Sequence, residues 1–190
     1  PDYITGFVPG RSIINNAHFH KGFNYTLSLD ISDFFNNVSI DELPNLPKEL
    51  KCCFYQLNGK LTAMQGLPTS PMLANLAFMK YDERIIVSIQ EFFNILGKNE
   101  NERKFSYSRY ADDISISFNI RINIPELIKR IESILKGSNF TLNIKKTRIQ
   151  NSKNGRRVLC GVAIDDKIYA PRKIRRRLRA AKFQENINQA

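Results

Sequence analysis

Three aspartates carry the strongest chemical signal in this 190-residue chain: Asp30, in Leu27-Ser-Leu-Asp-Ile31, and the adjacent Asp112 and Asp113, in Tyr110-Ala-Asp-Asp113. Taken singly, an aspartate at a turn is a turn former or a solvated charge. Two adjacent carboxylates at a hairpin tip, beside a third on a neighbouring strand, concentrate negative charge, which raises pKa values and destabilises the fold unless cations occupy the cluster. Hard carboxylate oxygens without His or Cys favour Mg²⁺, with Mn²⁺ as the substitute. Two such ions, roughly 3.5–4 Å apart, activate an attacking 3′-hydroxyl and stabilise a leaving pyrophosphate in an in-line displacement.

Strands must hold these carboxylates. From Thr26, Leu27, Leu29 and Ile31 alternate with Ser28, Asp30 and Ser32, which predicts a half-buried strand with Asp30 on its open face. Phe105 to Phe118 alternates on both sides of Ala111-Asp112, as two antiparallel strands joined by a tight turn. Between them, Pro44 and Pro47 break the stretch 41–50 into a loop and a short helix. Ser70-Pro71 reads as an N-cap and first helical residue, opening a helix to near Gly97 with Leu73, Leu76, Ala77, Ile85, Ile86 and Ile89 inward. Asn99 to Lys104 reads as a polar surface loop.

An amphipathic helix is expected over 125–137, with Leu127, Ile128, Ile131, Ile134 and Leu135 inward. Strands are expected over 140–149 and 157–164, a hairpin turn at Asp165-Asp166-Lys167, and a basic helix from Pro171 onward. This order predicts an α+β fold, an antiparallel sheet backed by helices.

The composition narrows the partners. Lys and Arg outnumber Asp and Glu by 29 to 18, a net charge of +11, which suits a polyanion whose phosphates those cations neutralise, with nucleic acid first. The apolar content of 42% is that of a globular domain, and no apolar run approaches the roughly 18 residues of a membrane span. With no signal peptide at the start, the expectation is a cytoplasmic protein without a membrane partner. Cys52, Cys53 and Cys160 lack zinc-site spacing and read as reduced thiols. The first residue is not Met and the chain opens in mid-motif, which reads as a piece of something longer.

With these motifs in order, the chain resembles reverse transcriptases. Leu27-Ser-Leu-Asp30-Ile-Ser-Asp-Phe-Phe35 is similar to the family's first catalytic strand, Gln65-Gly-Leu-Pro-Thr-Ser-Pro71 to its nucleotide-cradling loop, and Tyr110-Ala-Asp-Asp113 to its catalytic box. The resemblance implies a polymerase palm with an RRM-like core. It makes Asp30 and Asp112 the principal ligands of both metals, Asp113 a weaker member, and the Ile31 carbonyl a completing oxygen. Phe35 would be the aromatic gate that rejects a 2′-hydroxyl; Gln65 and Gly66 would shape the dNTP pocket; Tyr110 would lie near the primer end. Leu142-Asn-Ile-Lys-Lys-Thr147 is similar to the segment with a lysine near the departing pyrophosphate, with Lys146 the better match and Lys145 the fallback. Val158 to Ile164 stands where the family grips the primer.

Two further segments resemble bacterial retron reverse transcriptases. Asn16-Ala-His-Phe-His20 matches their Asn-Ala-x-x-His element, against a rival reading of His18 and His20 as metal ligands that lacks a third. Leu159-Cys160-Gly161 stands where retrons have Val-Thr-Gly, and Pro171-Arg-Lys-Ile-Arg-Arg-Arg177 where they have a Pro-Arg-rich helix; Cys160 replaces the Thr. Abortive-infection, unclassified defence and group II intron reverse transcriptases remain alternatives, as does a palm that binds nucleic acid without chemistry. Residues 1–25 would then end a fingers region, 26–170 form the palm, and 171–190 lead to a thumb, with Arg11, Arg172, Arg175 and Arg176 on nucleic acid. The implied partners are an RNA template, a DNA primer or product, dNTP, a structured noncoding RNA and an effector protein in antiphage defence. Without the clamping fingers and thumb, the 190 residues alone are expected to be weakly active or inactive.

Overall fold

The structure, a computed structural model, describes residues 1–170 and 172–188, with side chains described to position 170 and over 174–184. The alternating segments pair as expected into a four-stranded antiparallel sheet. Its order is β4 (Phe105–Tyr110), β5 (Asp113–Phe118), β1 (Tyr25–Asp30) and β6 (Arg148–Asn151). Residues directly opposite across such a sheet share a face. Tyr107, Ile116 and Leu27 therefore line one face, with Ile114 beside Leu29.

Against this apolar face pack α2 (Ser70–Leu96) and α4 (Ile124–Leu135). Phe34, Phe78, Tyr81 and Phe140 form an aromatic cluster between them with centroids 5.0–5.8 Å apart. Most expected inward residues are buried, but Leu76 is exposed, because Ala74, Ala77 and Phe78 turn the buried stripe away from it. The helix cap also differs: Thr69 is the capping position, and Ser70 is the first helical residue, its hydroxyl donating to the Met64 carbonyl.

Two further expectations are corrected, and one element is added. Asn99 to Lys104 contains a helical turn, α3 (Glu100–Arg103), because the Asn99 side chain accepts from Glu102 N and caps it. The stretch 140–149 is no continuous strand: a bridge joins Leu142 to Ile31, a 3₁₀ turn covers Ile144–Lys146, and only Arg148 onward forms β6. A hairpin absent from the sequence reading, β2 (Phe54–Leu57) with β3 (Lys60–Ala63), turns on Asn58-Gly59, both at positive φ. This dipeptide suits the tight turn that matches strand twist.

The second face of the main sheet is the largest departure. Expected to be open, it carries Thr26, Ser108, Ser115 and Ser117, and all four are buried. A helix, α1 (Ile13–His18), and a three-stranded sheet of β7 (Arg157–Leu159), β8 (Val162–Ile164) and β9 (Ile168–Tyr169) lie on that side, joined to each other through Ala17, Leu159, Val162 and Ile164. The turn between β8 and β9 falls at Asp165-Asp166-Lys167, as expected. The basic segment forms α5 (Arg172–Asn188). No helix among the described residues is long and apolar enough to cross a membrane.

Three of these hydroxyls, Thr26, Ser108 and Ser117, can be buried because partners meet them. His20 stands between two strands, Nδ1 2.8 Å from Ser117 Oγ and Nε2 2.7 Å from Ser108 Oγ. Burial, and then the Arg157 charge, push its imidazole down from 6.5 to about 3. The folded protein thus keeps His20 neutral where the unfolded chain takes up a proton, so stability falls as pH drops from 6.5 toward about 3. The expected slope reaches about 1.4 kcal/mol per pH unit, and a His20→Gln variant lacks it. Denaturant titrations of both proteins between about pH 7.5 and 4.5 check this, and parallel stability profiles would contradict it.

Candidate active site

Strand register assembles the carboxylates. Asp30 ends β1 directly opposite Asp113, the first residue of β5, and Tyr110 pairs with Asp113 across the hairpin. Ile31 N donates to Asp112 O at 3.0 Å, which fastens β1 to the turn, while Asn143 N donates to Asp30 O at 2.8 Å from the other side. Asp30 is 7% exposed, Asp112 half-buried and Asp113 exposed. Loss of solvent, then the charges of Asp112 and Asp30, raise the Asp113 carboxyl above its usual range.

Lys146 answers that charge. Its ammonium lies 2.9 Å from Asp30 Oδ2, and this contact raises the lysine above its ordinary value. Among the described residues, no three His, Cys, Asp or Glu side chains stand close enough together to hold an ion. The donor chemistry nevertheless fits a hard divalent cation: the acidic donors are all oxygens, they repel one another, and one already has a cationic partner. Asp30 and Asp112, with Asp113 beside them, are the residues that could hold it.

The turn between them is strained and held from beneath. Ala111 has φ +58°, a left-handed conformation that a residue with a Cβ adopts at a cost of about 1–2 kcal/mol. Its carbonyl accepts from Arg109 Nη1 at 2.9 Å. Arg109 is wholly buried and ion-paired with Asp82 of α2, Nε and Nη2 donating at 2.9 and 2.7 Å. Tyr107 OH donates to the same carboxylate at 2.6 Å, and Asn75 Oδ1 accepts from Arg109 Nη1 at 3.0 Å. Burial raises Asp82, with Arg109 opposing that shift.

From above, the segment around Gly6 presses on the same turn. A Cβ at Gly6 would stand 2.3 Å from Ala111 N, so only glycine fits. Asn75 Nδ2 donates to Gly6 O at 2.9 Å, and Thr5 and Tyr3 hydrogen-bond the Arg109 backbone. None of Gly6, Asn75, Asp82 or Arg109 was singled out from the sequence. The available signal was Asp82, an acidic residue inside the stripe of Phe78, Ile85 and Ile89.

The other expected site residues are spread more widely. Phe35 is half-buried, its ring 5.7 Å from Phe34 and 5.8 Å from the exposed Phe7. Gln65 Nε2 donates to Asn36 Oδ1 at 3.2 Å, which sets the loop of Gln65 and Gly66 beside Phe35; Gly66 has φ +91°. Arg11 is occupied by Asp2 at 2.7 Å and by the Pro1 and Ile4 carbonyls. On α5, Arg175 is half-buried and Arg176 exposed, while the Arg172 side chain lies outside the described residues. His18 is exposed and His20 buried, so they do not share a metal site.

Cys160 joins the site unexpectedly. In the β7–β8 turn it has φ +45°, followed by Gly161 at +79°, and its Sγ lies 3.9 Å from Asp113 Oδ2. Burial, then the charges of Asp113 and Asp112, push the thiol up to about 12, so it stays protonated and can donate toward Asp113.

The reverse transcriptase (RNA-dependent DNA polymerase) family profile matches residues 1–167. The chain belongs to this family. Among curated proteins it is 28% identical to the Retron Mx65 reverse transcriptase of Myxococcus xanthus, over 95% of this chain and 45% of that protein. It is 29% identical to the Retron Ec86 reverse transcriptase of Escherichia coli, over 94% and 54%. These relatives bear out the retron-type resemblance, and the chain spans about half the length of the curated relatives it matches. The fold is similar to a foamy viral protease-reverse transcriptase solved with double-stranded DNA (TM-score 0.51, 15% identity, 85% of this chain and 25% of that one). It is equally similar to telomerase from Candida albicans (TM-score 0.51, 13% identity, 78% and 30%). The α+β palm architecture is thereby shown.

In this member of the family the Arg109–Asp82 pair can be tested by stability alone. Asp82→Ala strands a buried guanidinium and is expected to destabilise by about 3–5 kcal/mol. The double variant Arg109→Met with Asp82→Leu should recover at least half of that loss, since no charge stays buried. Denaturant melts of the three proteins decide it; a double variant no better than the single one would show that the charge pairing is not the cause.

Proposed function

We propose that this chain is the palm of an RNA-directed DNA polymerase and that Asp30, Asp112 and Asp113 are its catalytic residues. The observation that carries this reading is the register of β1 against β5, which sets Asp30 opposite Asp113 at strand ends beside a strained turn. When bound, a pair of divalent cations, Mg²⁺ by the donor set, would activate the attacking hydroxyl and neutralise the departing pyrophosphate. Asp30 and Asp112 are the principal oxygens for it, Asp113 and the Ile31 carbonyl the completing ones.

The remaining residues position substrate. Phe35, braced by Phe34 and Phe7, presents a rigid edge to the sugar of a dNTP, and Gln65 and Gly66 bound the same pocket. Lys146, the cation on Asp30, is available to the phosphates that gather there. Tyr110, paired with Asp113, serves the primer end. Arg175 and Arg176 of α5, with Arg172, offer cations to template and primer phosphates, and Arg11 would reach template only by exchanging Asp2.

The retron relatives support a finer proposal: a structured noncoding RNA as template, an effector protein as partner and a place in antiphage defence. In domain terms we propose fingers to residue 25, palm over 26–170 and a thumb connection beyond.

Extension of a DNA primer on an RNA template by the full-length protein tests the chemistry. Asp112→Asn should reduce extension to background while primer–template binding, read by fluorescence anisotropy, stays equal or tightens. Persistent extension would refute the assignment. Phe35→Ala should raise ribonucleotide against deoxynucleotide incorporation by about tenfold or more, the scale on which a pocket loses a steric contact. An unchanged ratio would remove Phe35 from the gate.

A further inference from the structure

The Asn16-Ala17-x-x-His20 element contributes no carboxylate and no cation to the site, yet Asn16 and His20 are among the most deeply buried polar residues described. Asn16 uses both ends of its amide. Its Oδ1 accepts from Thr5 Oγ1 at 2.9 Å and Ser108 Oγ at 2.7 Å, and its Nδ2 donates to Cys160 Sγ at 3.6 Å.

The proton inventory fixes the rest of this chain of contacts. Ser108 has given its only proton to Asn16, so it accepts from His20 Nε2. His20 Nδ1 then accepts from Ser117 Oγ, and Ser117 accepts from Thr26 Oγ1 at 2.7 Å. Thr26 in turn accepts from Arg157 Nη1 at 2.9 Å. Each hydroxyl has one direction, so the network has one arrangement, which runs from α1 through β4 and His20 to β5, β1 and β7. Gln150 of β6 adds a second tie, its amide donating to Val158 O at 2.9 Å and accepting from Val158 N at 2.8 Å.

What this network holds is the β7–β8 turn. Cys160 carries a side chain in the left-handed region, so the turn needs outside support. Its sulfur lies between Asn16 Nδ2 and Asp113 Oδ2. Gly161, next to it, is exposed, with nothing within 4 Å of where a Cβ would sit, which leaves the outer side open to a polynucleotide strand.

We infer that Asn16 is a positioning residue: held by Thr5, Ser108 and the His20 chain, it sets the Cys160-Gly161 turn level with Asp113 and so fixes the strand end whose hydroxyl reacts there. This inference rests on the polymerase reading above. Asn16 touches no substrate and acts through Cys160. The contact is a weak one by geometry, an amide to a sulfur, so its loss is felt as misplacement rather than unfolding. A shift of under an ångström at the reacting end slows a reaction by about tenfold or more.

The test uses the full-length protein, a DNA primer on an RNA template, and single-nucleotide extension kinetics. Cys160→Ala removes the acceptor while keeping a side chain at the same φ; kcat should fall about tenfold, with KM for dNTP within about twofold and the melting temperature nearly unchanged. Cys160→Ser restores an acceptor for Asn16 and should recover most of the loss. Asn16→Ala should lower kcat in the wild-type background but add nothing further in the Cys160→Ala background. Equal losses for Ala and Ser at position 160, or kcat losses that multiply in the double variant, would overturn the inference. Asp112→Asn run alongside separates the two claims: if it leaves extension intact, the polymerase reading fails and this inference with it. If Asp112→Asn abolishes extension but Cys160→Ala leaves kcat untouched, only the positioning role of Asn16 fails.

Discussion

A guanidinium shut away from solvent sits beneath the carboxylate end of this molecule. Two unit charges about 4 Å apart attract by about 4 kcal/mol at an effective dielectric of 20, while removing each from water costs several kcal/mol. The Arg109–Asp82 pair is therefore no net source of stability by Coulomb energy alone. It is sustained because Tyr107, Asn75 and the Ala111 carbonyl give the pair further hydrogen bonds. The result is specificity: with all three guanidinium nitrogens of Arg109 committed, Ala111 is held at a φ it would otherwise leave, and the two aspartates that follow inherit a fixed direction.

The same logic governs both faces of the sheet. One face is Leu, Ile and Phe against two helices, where any apolar side chain of similar volume would pack. The other is Thr and Ser, which admit few partners and only in one sense of donor and acceptor. A covered hydroxyl face costs more to bury, yet it locks α1 and the β7–β8 hairpin into one register over the carboxylates. A neutral His20 is part of that arrangement: a second ring proton would point at Ser117, whose own proton would then have no acceptor among these partners.

The aspartates, the strand pair that carries them and the two amphipathic helices were legible because each is a local pattern: period two, period 3.6, or a turn. The Asn58-Gly59 hairpin was equally legible and went unread. What the pattern misled on was the Ser and Thr face, since alternation says only that two faces differ, and polar residues read as solvent-facing. Their partners lie 88 to 131 positions away in sequence, from Ser108 with His20 at 88 to Arg157 with Thr26 at 131, and no local window spans that. Gly6, pressed against Ala111 from 105 residues away, was invisible for the same reason.

Charge poses the last constraint. A chain of net charge +11 draws polyanions, yet the place where chemistry is proposed is a concentrated cluster of acid, which repels them. Lys146 pairs directly with one of the three carboxylates, and with Arg148 it offsets only part of the charge felt at Asp113. Phosphate and carboxylate can share this site only with cations between them, so cation and polyanion must bind with positive coupling, each raising the other's affinity by the same factor. On the proposed function, the basic surface would set how fast nucleic acid arrives, with strong dependence on salt, and the carboxylates would set whether it can stay in register to react.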